Sequence, residues 1–205
     1  MVWYDVMYSQ VKGVDMAVND EVWLVVVGLR NAGKTVGKGN TTNLEDFNKV
    51  QFFKTCLRNP NTAMKGYHVG GLSLTPLILA FIVIWLLTPR GYNHVVLTEE
   101  DLIMMYCLMS KIKVNWVNVI KERITKIKKK PEYCIPYVVL ISNFLKYFEV
   151  DVEGEVVEVV KAQNEITVAT LNKIGLKKVN DDYWVCKTNG DGSKQQQYQE
   201  RGWWN

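Results

Sequence analysis

The chain is 205 residues long, 48% hydrophobic and 22% charged. That balance excludes a wholly disordered chain and leaves room for one domain with a real core plus tails. A formal net charge of only +4 does not by itself imply a nucleic-acid partner, so the placement of the cations has to decide.

Chemistry carried by metals or paired thiols is not suggested. The four cysteines stand at 56, 107, 134 and 186, without a C-x-x-C pair, and the histidines are only His68 and His94. Structural zinc wants Cys and His at short spacings, so no metal site and no cofactor is expected. Free thiols in an intracellular protein, nuclear or cytoplasmic, are the simplest expectation. Met1 to Asp5 has neither a basic start nor an apolar run, which gives no sign of a secretory signal.

Residues 1–20 are weakly patterned and are expected to be an N-terminal extension. Glu21 to Gly28 is β-branched and apolar, which predicts a buried strand. Asn31 to Thr42 carries Gly33, Gly37 and Gly39 and predicts a loop. Asn43 caps an expected helix that carries Phe47, Val50, Phe53 and Leu57, and Asn59-Pro60 ends it. Leu77 to Leu87 has no polar residue and is bracketed by Thr75-Pro76 and Thr88-Pro89. A membrane span needs roughly 20 apolar residues, so this run predicts a buried helix with Pro76 in its first turn.

Thr98-Glu99-Glu100-Asp101 predicts the next helix start, with Thr98 as cap, Asp101 closing a capping box, and Leu97 and Leu102 as the staple. That helix is apolar nearly all round to Ser110 and should be buried. Asn115 to Lys130 is an amphipath with Val117, Ile120, Ile124 and Ile127 on one stripe, stopped by Pro131. Pro136 opens a further helix carrying Tyr137, Ile141, Phe144 and Phe148. Val168, Leu171 and Ile174 predict a short helix closed by Gly175. Leu176 to Val179 and Tyr183 to Cys186 then form a hairpin turning at residues 180–182. Residues 188–205 are polar and expected to be a disordered tail. The expected fold is mainly α: one helical domain over 21–187 with a small N-terminal β element and a C-terminal β-hairpin.

Two segments carry candidate chemistry. Gly28-Leu29-Arg30-Asn31-Ala32-Gly33-Lys34-Thr35 matches the phosphate-loop pattern G-x-x-x-x-G-K-[ST]. In that motif backbone N–H groups, here from Gly28 to Gly33, wrap the phosphates, Lys34 reaches the β- and γ-phosphates and Thr35 supplies a Mg²⁺ ligand. The eight residues are similar to those of Arf-type small GTPases. Against this, Val36-Gly37-Lys38-Gly39 is a poor helix start. A magnesium-binding Asp after a strand is also missing, and Asn43 to Phe148 predicts helices rather than a βα alternation. Nucleotide binding is therefore the alternative expectation.

The second segment is the basic run Lys121, Arg123, Lys126, Lys128, Lys129 and Lys130, flanked by Trp116 and Tyr133. It is a candidate contact for nucleic acid or an acidic partner, with a solvated helix face as the simpler reading. Residues 121–130 hold six cations and Glu122, and residues 149–160 hold five acids and no cation, so the two runs are also candidates to pair with each other. His68 and His94 have no Ser, Cys or Asp partner nearby in sequence, and no catalytic set emerges.

Several phrases in order carry a resemblance: Phe47 to Phe53, Cys56 to Pro60, Leu87-Thr88-Pro89-Arg90-Gly91, Leu97 to Leu102, Lys113-Val114-Asn115-Trp116, Pro136-Tyr137 with Leu145 to Val150, and Thr170 to Gly175. Together they resemble the plant transposon protein domain found in retrotransposon-related reading frames. The resemblance spans about Glu21 to Cys186. It implies a transposable-element origin and a mostly helical chain, with no catalytic residues to carry over. A non-enzymatic protein with nucleic-acid or protein binding, and no membrane partner, is the resulting expectation.

Overall fold

Two compact units divide the chain, Met1–Lys161 and Ala162–Asn205, a division inside the span that the sequence suggests as one domain. The computed structural model describes residues 6–36, 44, 47–89, 93–128, 137–155, 167–173, 176–180 and 183–186. Asn43, Pro131, Tyr133, Pro136, Glu158, Gly175 and the 188–205 tail, all used in the sequence expectations, lie outside those residues.

The described part of the first unit opens with a hairpin, within the residues expected as an N-terminal extension. Strands β1 (Met7–Val11) and β2 (Val14–Val18) pair antiparallel, with Met7 opposite Val18 and Val11 opposite Val14. The two-residue loop holds Lys12 at φ 49° and Gly13 at φ 82°. Two positive φ values are what a tight hairpin turn requires, and Gly13 meets its share at no steric cost. Buried Met16 and Val18 face inward from β2.

Residues 20–27 are a helix, which corrects the strand expected over 21–28. Helix α1 (Asp20–Val27) opens at Asn19, whose side chain accepts from the Val22 N–H at 2.9 Å. Asp20 and Glu21 lie in the first turn, where the helix dipole favours acids. Gly28, at φ 72°, closes it through its own N–H to the Leu24 carbonyl. A side-chain cap contributes about 1 kcal/mol. Together with the burial of Val22 and Trp23, the caps outweigh the weak preference of Val25-Val26-Val27 for a strand. The N-terminal β element exists, but at 7–18.

Helix α2 (Lys49–Cys56) starts at Asn48, not Asn43; the Asn48 side chain accepts from the Gln51 N–H at 3.0 Å. It buries Phe53 and Cys56 and leaves Val50 exposed. Helix α3 (Leu74–Ile82) has Pro76 in its first turn and runs into a π-helical turn, Val83–Leu87. Leu77, Ala80, Val83 and Ile84 are buried, whereas Trp85 and Leu86 are exposed, so the apolar run is covered on one side only. Among the described residues no helix is long and apolar enough to cross a membrane.

Helix α4 (Glu99–Met109) forms the centre. Its capping box is complete: the Asp101 N–H donates to Thr98 Oγ1 and the Thr98 N–H donates to Asp101 Oδ2 at 2.7 Å. Leu97 and Leu102 are both buried beside that start, and residues 101–105 and Cys107 are buried in turn. Helix α5 (Trp116–Lys128) is the predicted amphipath, with Val117 and Val119 buried. Helix α6 (Val138–Tyr147) packs on α1, where Trp23 and Phe144 meet edge to face at 5.1 Å. Val18, Val22 and Val117 complete that cluster. In the second unit, helix α7 (Val168–Lys173) precedes the antiparallel hairpin β3 (Leu176–Asn180) and β4 (Tyr183–Cys186). The fold is mainly α, with small β elements at both ends, as expected from the sequence.

A basic cleft as candidate functional site

A recess in the first unit lies between two connectors. One is the segment leaving α1, the other the segment joining α4 to α5. Gly28, Leu29, Arg30 and Ala32 line one side. Cys107, Leu108 and residues 111–114 with Trp116 line the other. Its volume is about 470 Å³, within the range of small-molecule sites. A second recess, beside Thr88, Glu100 and Arg123, has room for about 20 Å³, the space of a single water.

Three cations line the larger cleft, Arg30, Lys111 and Lys113, and among the described residues no acid does. Their positions follow from local backbone rules. Helix α4 ends in a Schellman motif: the Lys111 N–H donates to the Leu108 carbonyl and the Ile112 N–H to the Cys107 carbonyl. That motif needs a left-handed residue, usually glycine, and here Lys111 holds it at φ 55°. A lysine at this place costs conformational energy and puts a cation at the cleft. Lys113 is fixed through its carbonyl, which accepts from the Lys34 N–H at 2.8 Å.

The two walls are tied together at one point. Lys34 and Val114 form an isolated parallel bridge, completed by the Asn115 N–H donating to the Lys34 carbonyl at 3.0 Å. Beside it, Asn115 Nδ2 donates to Asn31 Oδ1 at 2.7 Å, and Asn31 Nδ2 donates to the Asp20 carboxylate at 3.0 Å. Asn115 also caps α5 by accepting from the Asn118 N–H. Gly33 sits at the crossing with φ 119°, and a Cβ there would lie 2.7 Å from the Lys113 carbonyl oxygen. Cys107 is buried behind the cleft; burial pushes its thiol pKa up, and the Lys34 ammonium pulls it partly back. The thiol is thereby held protonated and unreactive.

This geometry explains the Gly28–Thr35 motif differently from a phosphate loop. A helix precedes it where that motif needs a strand. Four of its amides are already used: Gly28 and Leu29 donate to α1 carbonyls, Ala32 donates to Arg30, and Lys34 donates across the bridge. Gly28 serves as a helix cap and Gly33 as the close-approach residue. Lys34 is exposed and Thr35 half-buried, and the segment presents no row of free N–H groups of the kind that wraps a phosphate chain.

The basic helix is partly neutralised within the molecule. Arg123 Nη2 and Lys126 Nζ lie 3.3 and 3.1 Å from the two oxygens of Glu100. Lys121 lies 3.8 Å from Asp20. Pairing with the acidic run is not what the described residues show: Glu155 pairs with Lys12 at 2.7 Å. The side chain of Lys128, and Lys129 and Lys130 entirely, lie outside the described residues.

The histidines are apart from the cleft. His68 is in a β-bridge with Val96, and His94 stacks on Trp85 at 3.9 Å. Among the described residues no three His, Cys, Asp or Glu side chains gather to hold a metal. Sequence reasoning singles out neither Lys111 nor Lys113 as a site residue; Lys113 enters only in the phrase Lys113-Val114-Asn115-Trp116. Lys111-Ile112-Lys113 followed by Trp116 is the local signal, a pair of cations beside an aromatic, and nothing in it foretells Arg30 on the facing wall. No family model, no curated protein and no solved structure matches the chain.

Proposed function

We propose that this chain is a non-enzymatic nucleic-acid-binding protein of transposable-element origin, and that the basic cleft is its phosphate-contacting surface. The observation that carries the reading is the cleft lining: Arg30, Lys111 and Lys113 converge from two segments, with no acid among the described lining residues. A field of one sign in a recess attracts polyanions and raises their local concentration. The order of phrases from Phe47 to Gly175 supports the origin. The basic face of α5 is the weaker candidate, because Glu100 and Asp20 already hold three of its cations.

The test is anisotropy of a labelled oligonucleotide titrated with the protein from 50 to 200 mM salt. Three phosphate contacts on a single strand give a log–log slope near −2, which is roughly a 20-fold loss of affinity over that range. Reversal of all three charges (Arg30→Glu, Lys111→Glu, Lys113→Glu) is expected to remove most of the binding. Affinity insensitive to salt, or unchanged in the triple variant, would rule the reading out.

A further inference from the structure

The cations are only half of the cleft. Leu29, Leu108, Ile112 and Val114 give it an apolar part, and Trp116 lines it at the first turn of α5. Trp116 is half-buried, and among the described residues no other ring stacks on its indole. Most other described rings of the first unit pair with one another: Phe47, Phe52 and Tyr106 form one cluster, Phe53 meets Tyr67, and Trp23 meets Phe144, while Tyr8 and Tyr137 lie outside the cleft. An indole left for a recess that also carries three cations is therefore a distinct arrangement in this molecule.

Resting on the nucleic-acid reading above, we infer that the cleft takes an unpaired nucleotide of a single strand, with its base against Trp116 and the flanking phosphates on Arg30, Lys111 and Lys113. The size fits. A space of about 470 Å³ accommodates a base and its sugar, and a duplex, whose bases are stacked inside a broad cylinder, cannot enter it. Duplex recognition normally puts a helix into the major groove. The helix offering cations for that, α5, has Arg123 and Lys126 bound to Glu100 and Lys121 near Asp20. A concave, cationic site with an aromatic wall is the usual means of holding single strands, and stacking there tolerates any base.

The experiment compares four probes of roughly twelve nucleotides, a length that covers usual single-strand sites. They are a thymidine strand, a uridine strand, an abasic strand of the same backbone, and a blunt duplex. Loss of one base–aromatic stack lowers affinity roughly 5- to 150-fold. The thymidine strand is expected to bind tighter than the abasic strand by that factor, and tighter than the duplex. Trp116→Leu should remove the preference for thymidine over the abasic strand, and Trp116→Phe should keep most of it. The uridine arm separates RNA from DNA as the source of the strand. An abasic strand or duplex bound as tightly as thymidine overturns the stacking inference and leaves phosphate binding standing. Absence of binding to every probe overturns both. The abasic comparison uses the unaltered protein, so it holds even if the Trp116 variants misfold.

Discussion

Gly33 separates the two meanings of residues 28–35. In Gly33→Ala the new methyl would lie 2.7 Å from the Lys113 carbonyl oxygen, 2.8 Å from the Val114 carbonyl carbon and 3.0 Å from the Asn115 nitrogen. All three are backbone atoms, so no side chain can swing aside. The walls must part, and the bonds Lys34 N–H to Lys113 and Asn115 N–H to Lys34 stretch or break. Each bond is worth about 1 kcal/mol net, and the positive φ of 119° adds about 1–3 kcal/mol for a residue with a Cβ. The sum is about 3–5 kcal/mol. For a chain of this size that lowers Tm by roughly 6–20 °C. Urea unfolding followed by tryptophan fluorescence measures the change directly, as a fall in midpoint at constant slope. A phosphate loop would behave in the opposite way: Ala at this place would abolish binding of Mg²⁺-GTP or Mg²⁺-ATP and leave stability nearly unchanged. A loss below about 1 kcal/mol would refute the close-approach role assigned to Gly33.

Lys111→Gly should stabilise the protein and weaken its binding together. Relief of the left-handed backbone is worth about 1–2 kcal/mol, and the freer unfolded chain takes back about 0.5–1. The net gain of about 0.5–1 kcal/mol should appear in urea unfolding while oligonucleotide affinity falls; stabilisation without weaker binding would remove Lys111 from the site. Stability should also fall at alkaline pH. Burial pushes the Cys56 thiol up to about 11 and the Tyr137 phenol up to about 12. Both groups keep their protons in the folded state after the unfolded chain, with ordinary values of 9 and 10, has lost them. Their contribution is intact below about pH 9 and is lost as pH rises from there to about 12. For fully buried Cys56 the two-unit interval corresponds to on the order of 2–3 kcal/mol. Denaturation midpoints between pH 8 and 11, compared with Cys56→Ala, check this. A flat profile would show that the thiol is solvated.

The parts of the fold that the sequence displayed are those governed by local rules. Thr98 and Asp101 announce the start of α4 because a capping box is written in four consecutive residues. The apolar stripe of α5 and the hairpin at 176–186 are similarly local. Residues 20–27 misled because two local signals compete there. Val22 and the Val25–Val27 run favour a strand, while Asn19 and Gly28 favour a capped helix, and burial of Trp23 against Phe144 decides. The hairpin at 7–18 was hidden because Lys12-Gly13 is a modest turn signal and the strands alternate weakly. The candidate site was the least legible. Arg30 lies inside a motif that suggests nucleotide binding, and its neighbours Lys111 and Lys113 come from the far side of three helices. The Lys34–Val114 bridge and the Asn31–Asn115 hydrogen bond beside it bring them together, and contacts of so few residues have no periodicity to detect.

That bridge also places the site in time. The Asn31–Asn115 hydrogen bond beside it joins residues 84 apart in sequence, so the entropy of closing a long loop opposes it until α4 has docked. During synthesis the first wall leaves the ribosome long before Lys111 to Trp116 exist. A nascent chain therefore carries Arg30 and Lys34 with nothing opposite them. On the proposed reading, strand binding would begin only when both walls are in place, so its onset during refolding would report the docking of the α4–α5 connector on the segment after α1 rather than any one helix.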